Sequence, residues 1–363
     1  MTTFKIITDY DDFLRQHDSW NELVFASEVD HVFMRHEWFA CWIRSYRAQE
    51  RISIVTGWRD GQLISIAPIQ YSKFKIKNFQ INCISFLSSS ISPRCNLIVS
   101  NIDEIEGIVL KTLSLSNWNL LTLNNLEEGL NTTKVFLNCL RCENRNPFRV
   151  EEGRRSPYLY VPSSWEEYCK SVSRNRRKYL KSNSQNRLKK ASEYSIELID
   201  ENSDSNGIFS IIEKISSKSW KNDVGSSISK DERRKSFYRT FTNDGLKKGW
   251  VHVWLLKIEG NYVAFEYYLR SRKTYAAIRS DYDKNFAYYH PGENLKIAVL
   301  KHMCDDETLD EFDFGGNAAP YKLNWTKKIR KHVNLLIGNR TLLGRSILFS
   351  KNYIRPLINV LKS

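Results

Sequence analysis

The sequence predicts an α/β (α+β) protein of two tandem domains, each a mixed, mainly antiparallel twisted sheet flanked by helices. Three observations carry this. Residues 51–70, RISIVTGWRDGQLISIAPIQ, alternate apolar and polar side chains on both sides of Asp60-Gly61. That is a hairpin signature, because glycine tolerates the positive φ of a tight turn. Residues 250–269, WVHVWLLKIEGNYVAFEYYL, do the same around Glu259-Gly260, and setting Gly61 against Gly260 superposes the two hairpins without a gap. Finally, 363 residues exceed the usual size of a single core.

The elements follow in order. A helical pattern around Trp38 and Trp42 precedes the first hairpin, and one around Trp220 precedes the second. Between the halves, residues 143–162 are charged, hold Pro147, Pro157 and Pro162, and lack helical periodicity. This sets the expected domains at 1–150 and 151–345, with a basic amphipathic tail over 346–363. A helix then starts sharply: Ser164 and Glu167 have capping-box spacing, and Trp165, Tyr168, Cys169 and Val172 fall at i, i+3, i+4 and i+7. In the second half the patterns predict helices over about 165–190, 207–221 and 231–248. Strands follow near 251–258, 261–270 and 273–281, then a helix over 292–304 and a strand over 310–314. A short helix near Tyr321 and the strand HVNLLIG complete the order.

Composition narrows the function. Hydrophobic residues at 41% and aromatics at 13% suffice for packed cores and exclude general disorder. The net charge of +14 favours an anionic partner: a phosphate-bearing cofactor, a sugar nucleotide, RNA or an acidic membrane surface. The opening MTTFKIITDYDDFL has no basic stretch followed by an apolar run, and no apolar span is long enough for a bilayer. Seven cysteines are scattered, and Cys139 and Cys142 form a single C-x-x-C without a second pair. Reduced thiols in a cytoplasmic protein, with no metal site, are the expectation.

Two motifs stand out as chemistry. In FAYYHPGENLKIAVLKHM (286–303) a strand ends, Pro291-Gly292 turns and an amphipathic helix starts. Unpaired amides and the positive dipole end make such a helix start a place for an anion, and Pro291, Gly292, Glu293 and Asn294 are its residues. In EFDFGG, Phe312 and Phe314 share one strand face while Glu311 and Asp313 point the other way. Gly315 and Gly316 then permit close approach of a backbone or ligand. Lys322, a turn beyond, either holds an anionic group or a developing oxyanion, or pairs structurally with Asp313, which itself either takes part in chemistry or caps the loop. SRNRRKYLKSNSQNRLKK (173–190) has eight basic residues and no acid. It is either a solvated helix face or a grip on phosphates through Arg174, Arg176 and Arg177. The C-terminal RTLLGRSILFSKNYIRPLINVLKS, apolar and basic without an acid, either packs on the body or lies against an anionic membrane.

This ordered set (FMRHEWFACWIRSY and DGQLISIAPI, then the basic helix, SWKNDVG, YYHPGENL, EFDFGG, YK and W) resembles the FemAB-like and CelD-like acetyltransferases of the GNAT (acyl-CoA N-acyltransferase) superfamily, over about residues 9–336. The resemblance implies tandem GNAT-like domains, the first degenerate and on the acceptor side. It implies acyl transfer from acyl-CoA (acetyl-CoA), a co-substrate and not a tightly bound cofactor, to an amine or hydroxyl. The acceptor would be a cell-envelope or polysaccharide precursor, small or lipid-linked, met in the cytoplasm or at the inner membrane. Two neighbouring strands would splay to leave a slot for the acyl thioester, with Asp313, Gly315 and Gly316 at its mouth. In the peptidoglycan-bridge branch the donor is aminoacyl-tRNA, and Tyr321-Lys322 matches that branch's aromatic–lysine pair beside the reacting carbonyl. The general base would come from His290 and Glu266, ahead of Asp281 and Asp283, His290 having the reference pKa suited to neutral pH. Trp220, Arg174, Arg176, Arg177, Asp281 and Trp325 would contact substrate. The R/Q-x-x-G-x-G/A pyrophosphate loop of ordinary GNAT enzymes is absent. A non-catalytic polyanion-binding module is the reading of another class.

Overall fold

In the computed structural model, residues 1–76, 79–88, 91–142, 146–180, 184–204 and 206–349 are described. They form two units: residues 1–155 together with the chain from Arg330 on, and Ser156–Ile329. The segment 330–345, expected with the C-terminal domain, therefore falls in the first unit. Of the basic tail expected over 346–363, residues 350–363 lie outside the described residues.

The first unit runs β1 (Thr3–Ile7), α1 (Tyr10–Leu14), α2 (His17–Ala26), α3 (His36–Ser45), β2 (Ile54–Arg59), β3 (Gln62–Ala67), β4 (Ile69–Ile76), β5 (Phe79–Phe86), β6 (Ile98–Val99), α4 (Glu104–Leu113), β7 (Leu120–Glu127) and α5 (Asn131–Cys142). β8 (Phe148–Tyr160) then carries the chain into the second unit. There follow α6 (Trp165–Ser171), α7 (Arg174–Lys178), α8 (Ser184–Leu188), β9 (Tyr194–Ile199), α9 (Ile208–Ser217), α10 (Trp220–Asp223), α11 (Glu232–Lys247), β10 (Val251–Ile258), β11 (Asn261–Ser271) and β12 (Thr274–Tyr282). α12 (Pro291–Asp305), β13 (Glu311–Asp313) and α13 (Pro320–Leu323) complete it, and β14 (Ile329–Gly338) and α14 (Leu342–Phe349) return to the first unit.

The predicted hairpins are β2–β3 and β10–β11. Their turn residues Asp60, Gly61, Glu259 and Gly260 all have positive φ, between 49° and 78°, the geometry that matches strand twist in two-residue turns. Each hairpin also carries a bulge, between Gly57 and Trp58 in one and between Leu256 and Lys257 in the other. When Gly61 is set on Gly260 these bulges coincide. Each hairpin is flanked by an earlier antiparallel strand, β1 beside β2 and β9 beside β10. The two halves thus share a strand–helices–hairpin unit down to the bulge. The tryptophan parallel does not hold: Trp38 and Trp42 are buried in α3, whereas Trp220 is 52% exposed and α11 intervenes before its hairpin.

In the first unit, β1-β2-β3-β6 form one antiparallel sheet, while β4, β5, β7 and β14 pair in mixed fashion. In the second, the order from the end of β8 is β13-β12-β11-β10-β9, antiparallel throughout except for β12 with β13. α12 covers one face, where Leu295, Val299, Leu300 and Met303 join a core with Tyr268, Tyr275, Phe312 and Phe314. α9 and α11 lie on the opposite side, against β11 and β10. The expected helix 165–190 is broken: α6 ends at Ser171 and α7 restarts behind Ser173, whose hydroxyl accepts the Arg176 amide. The strand β9 lies outside the expected elements although its residues YSIELI alternate apolar and polar; it is the end strand of the order and its residues are exposed or half-buried. Among the described residues no helix is long and apolar enough to cross a membrane.

One buried histidine gives the first unit an acid sensitivity. His36 stacks on Phe13 at 4.1 Å, its Nε2–H donates to the Phe13 carbonyl at 2.9 Å, and burial lowers its pKa from 6.5 to about 4. Below pH 6.5 the unfolded chain takes up this proton while the native one resists it, so stability falls with pH down to about 4, by on the order of 3 kcal/mol. Denaturation midpoints measured between pH 7.5 and 4 should show this loss, and His36→Gln, which keeps a donor but does not titrate, should flatten it.

Candidate active site

β12 and β13 pair over only three positions, Thr274↔Glu311 to Ala276↔Asp313. Asp313 then ends the strand: its Oδ1 accepts the Gly315 amide at 2.8 Å and turns the chain out of the ladder. Gly315 and Gly316 follow with φ of +60° and +54°. A Cβ on Gly315 would stand 2.1 Å from the Ala277 carbonyl oxygen, so only glycine lets the turning backbone lie this close to β12. The Ser156 hydroxyl holds the turn from the other side, donating to the Gly316 carbonyl at 2.9 Å. β12 itself continues to Tyr282, and beside this continuation a cleft of about 640 Å³ opens. Its walls are residues 277–282 of β12, the start of α12 at residues 290–293, and Phe314 to Gly316.

Lys322 stands at this cleft, its ammonium donating to the Gly315 carbonyl, with the ring of Tyr321 beside it at 5.9 Å. Glu266 enters from β11, buried, and meets both Lys296 of α12 and the Tyr268 hydroxyl, which donates to its carboxylate. The Lys296 ammonium in turn donates to the Tyr268 oxygen at 2.6 Å and lies 5.1–5.8 Å from the rings of Tyr268, Phe312 and Phe314. Burial and the Glu266 charge push the Tyr268 hydroxyl well above its ordinary pKa, so it acts as a donor and not as a base.

Residues 174–323 match the acetyltransferase (GNAT) domain family. This unit has the GNAT fold. The whole chain is similar in structure to FemX, with a TM-score of 0.60 at 10% identity and 100% of both chains covered. It is also similar to a conserved protein of unknown function from Bacteroides thetaiotaomicron, with a TM-score of 0.57 at 11% identity, covering 93% of this chain and 100% of that one. At these identities the likeness is one of fold. No curated protein matches significantly.

Within the GNAT domain several expected residues have other duties. His290 does line the cleft, in left-handed conformation as the N-cap of α12, but both ring nitrogens are engaged. Arg187 lies 2.8 Å from Nε2 and the Tyr179 hydroxyl 2.9 Å from Nδ1. A guanidinium can only donate, so Nε2 must be the acceptor and Nδ1 carries the hydrogen. The lone pair a base would use is thus taken, and burial and Arg187 both lower the pKa. Asn294 is turned away: its amide donates to the Tyr289 and His290 carbonyls and pins the turn. Glu293 faces the cleft but pairs with Arg176, and burial pushes its carboxyl upward against that pairing.

Arg176, expected to grip substrate, is therefore neutralised, and its guanidinium also sits 4.3 Å from the Trp325 ring. Arg177 donates to the carbonyls of Cys169 at 2.7 Å and Lys170 at 3.0 Å, closing the C-terminus of α6. Arg174 is exposed and does not line the cleft. Asp313 shapes the turn and lies outside the cleft wall. Asp283 caps the turn at Asn285 and pairs with Lys218 at 3.2 Å. Trp325 is 3% exposed and belongs to the core as much as to the cleft, with Tyr168 donating to its carbonyl at 3.0 Å. Trp220, Asp281, Pro291 and Gly292 do line the cleft.

Sequence reasoning missed Lys296, Lys221 and Arg279, all in the cleft wall. Lys296 follows Glu293 at i+3 and so shares its helix face, a spacing that was open to reading. For Arg279 no local signal existed. A bulge opposite Tyr267 and Tyr268 swings Arg279 and Asp281 away from the α12 face, on which Tyr275 lies.

Two glycine replacements test this geometry by thermal denaturation. Gly315→Ala combines positive φ with the contact at Ala277 and should cost on the order of 1–3 kcal/mol or more. Gly292→Ala meets nothing within 4 Å and should be neutral or stabilising by up to about 1 kcal/mol.

Proposed function

We propose that the chain transfers an acyl group from a thioester or ester donor to an amine or hydroxyl. The observation that carries this reading is the arrested pairing of β12 and β13 with Lys322 beside the gap. A strand edge without a partner offers backbone donors and acceptors to an extended, amide-bearing donor. A carbonyl placed there near Lys322 would develop its negative charge beside an ammonium, in a site partly screened from water. The acceptor's lone pair attacks the carbonyl carbon and its proton passes to Glu266. The tetrahedral centre then collapses with departure of the donor's thiolate or alkoxide, which takes up a proton. Glu266 is the better base on geometry: Lys296 and Tyr268 both meet its Oε2 and leave Oε1 to take a proton, whereas the His290 lone pair faces Arg187 and the Asp281 carboxylate is enclosed by Ser216, Lys221 and Arg279.

Acyl-CoA, acetyl-CoA foremost, is the donor first favoured, with an envelope or polysaccharide precursor as acceptor. This is the reading of the FemAB-like and CelD-like resemblance, as is action in the cytoplasm or at the inner membrane surface. One feature favours the second reading, an aminoacyl ester of tRNA. At the start of α12 the Glu293 and Asn294 amides both turn back to the His290 carbonyl, and the Glu293 carboxylate stands in the cleft. A diphosphate would meet few open amides there and one negative charge.

Lys322→Ala tests the transferase reading itself. Turnover should fall by on the order of 10²–10³, while the melting temperature stays within a few degrees; near-normal turnover would refute the role of this lysine. The donor is decided by binding. Acetyl-CoA should raise the melting temperature in a saturable way. Salt-sensitive binding of aminoacyl-tRNA with no response to acetyl-CoA would instead select the second reading.

A further inference from the structure

The end of the cleft beneath α9 and α10 holds a charge cluster that the chemistry at Lys322 does not use. Asp281 is buried at its centre. The Ser216 hydroxyl donates to Oδ2 at 2.8 Å, and the Arg279 Nε–H donates to the same oxygen at 3.0 Å. The Lys221 ammonium lies 2.8 Å from Oδ1, an ion pair without hydrogen-bond alignment, and also donates to the Ser280 carbonyl. Two cations thus share one carboxylate. Glu266, the other acid that Lys221 senses, is already matched by Lys296.

Arg279 meets Asp281 only through Nε. Its Nη2 is buried and has no hydrogen-bond partner among the described residues. A buried guanidinium donor left unsatisfied is destabilising, so an occupant that accepts from it is favoured. Burial lowers the pKa of Lys221, and the Asp281 carboxylate opposes that shift. Both side chains line the cleft, next to the half-exposed ring of Trp220.

We infer that Arg279 and Lys221 form an anion subsite that takes a carboxylate or phosphate group of the molecule receiving the acyl group. The guanidinium fork matches two oxygens of a carboxylate or a phosphate, and the occupant supplies the negative charge that the cluster lacks. Assignment of this anion to the acceptor rests on the transferase reading; the subsite itself does not. The two cations lie on the β12 face opposite Glu266, toward α9 and α10, which separates them from the start of α12 where a donor's phosphates would sit.

Titration calorimetry on the full chain, with inorganic phosphate in one arm and succinate in the other, tests the subsite. At least one anion should bind saturably, which also tells phosphate from carboxylate. Arg279→Gln should weaken that anion about ten- to hundredfold, and Lys221→Gln should weaken it too. Lys247→Gln, on the exposed end of α11, should leave it unchanged. If Arg279→Gln does not fold, as judged by circular dichroism, Arg279→Lys replaces it: the charge remains, the fork is lost, and binding should still weaken. Wild-type affinity in the folded Arg279 variant, or no binding of either anion to the wild type, would overturn the proposal. Acetyl-CoA titrated into the same variant should bind as in the wild type. Arg279-dependent anion binding in a chain that accepts no acyl donor would uphold the subsite and sink the transferase reading alone.

Discussion

The second unit depends on a parallel pairing that stops after three rungs. A strand ladder left to itself continues, since each further pair satisfies two backbone groups. Here Asp313 intercepts the Gly315 amide, and two glycines in left-handed conformation carry the backbone against Ala277 and away. What remains is a side of β12 that no strand among the described residues pairs beyond Ala276, a cleft beside it, and a lysine tethered to the carbonyl of the turning residue. Positive φ, missing side chains and an aspartate cap act together, and none would suffice alone. Side chains on Gly315 would push the turn off β12, and without the cap the strand would have no reason to end where it does.

Charge inside this cleft is arranged in local sets. Glu266 faces Lys296 and Tyr268, Asp281 faces Lys221 and Arg279, and Glu293 faces Arg176. Leaving any one of these carboxylates unpaired would be strongly destabilising, whereas the pairs themselves contribute little net stability. Their persistence is better explained by position than by stability. Each set stands at a different wall: the α12 face, the α9–α10 face and the helix start. The Asp281 set is the one in which cations outnumber acids.

The basic character of the chain turns out to be a poor guide to the site. Of the three arginines in the basic segment after Ser173, Arg176 is pinned by a glutamate and a tryptophan, and Arg177 closes a helix end. Long cationic side chains often serve such structural ends, because their donors can reach carbonyls a turn away. Arg187 does likewise, occupying the histidine that elementary pKa reasoning had singled out as a base.

The sequence alone determined the features that depend on local physics. Asp-Gly and Glu-Gly between alternating strands dictated both hairpins, because few other residue pairs accept positive φ twice in succession. Ser164 and Glu167 dictated the start of α6, Pro291 that of α12, and the double glycine the break after Asp313. These signals also yielded most of the element order in the second half, β9 and the break after α6 excepted, whereas the gap beside the lysine was an expectation from the family resemblance. Tertiary structure decided the rest. The fate of His290 was set by Arg187 and Tyr179, each more than a hundred residues away, and that of Arg176 by Glu293 and Trp325. The bulge in β12, invisible in the residue pattern, decided which face Arg279 and Asp281 would take. A backbone conformation is chosen by neighbours along the chain, whereas a titratable side chain takes its role from whichever charges and rings the fold brings to it.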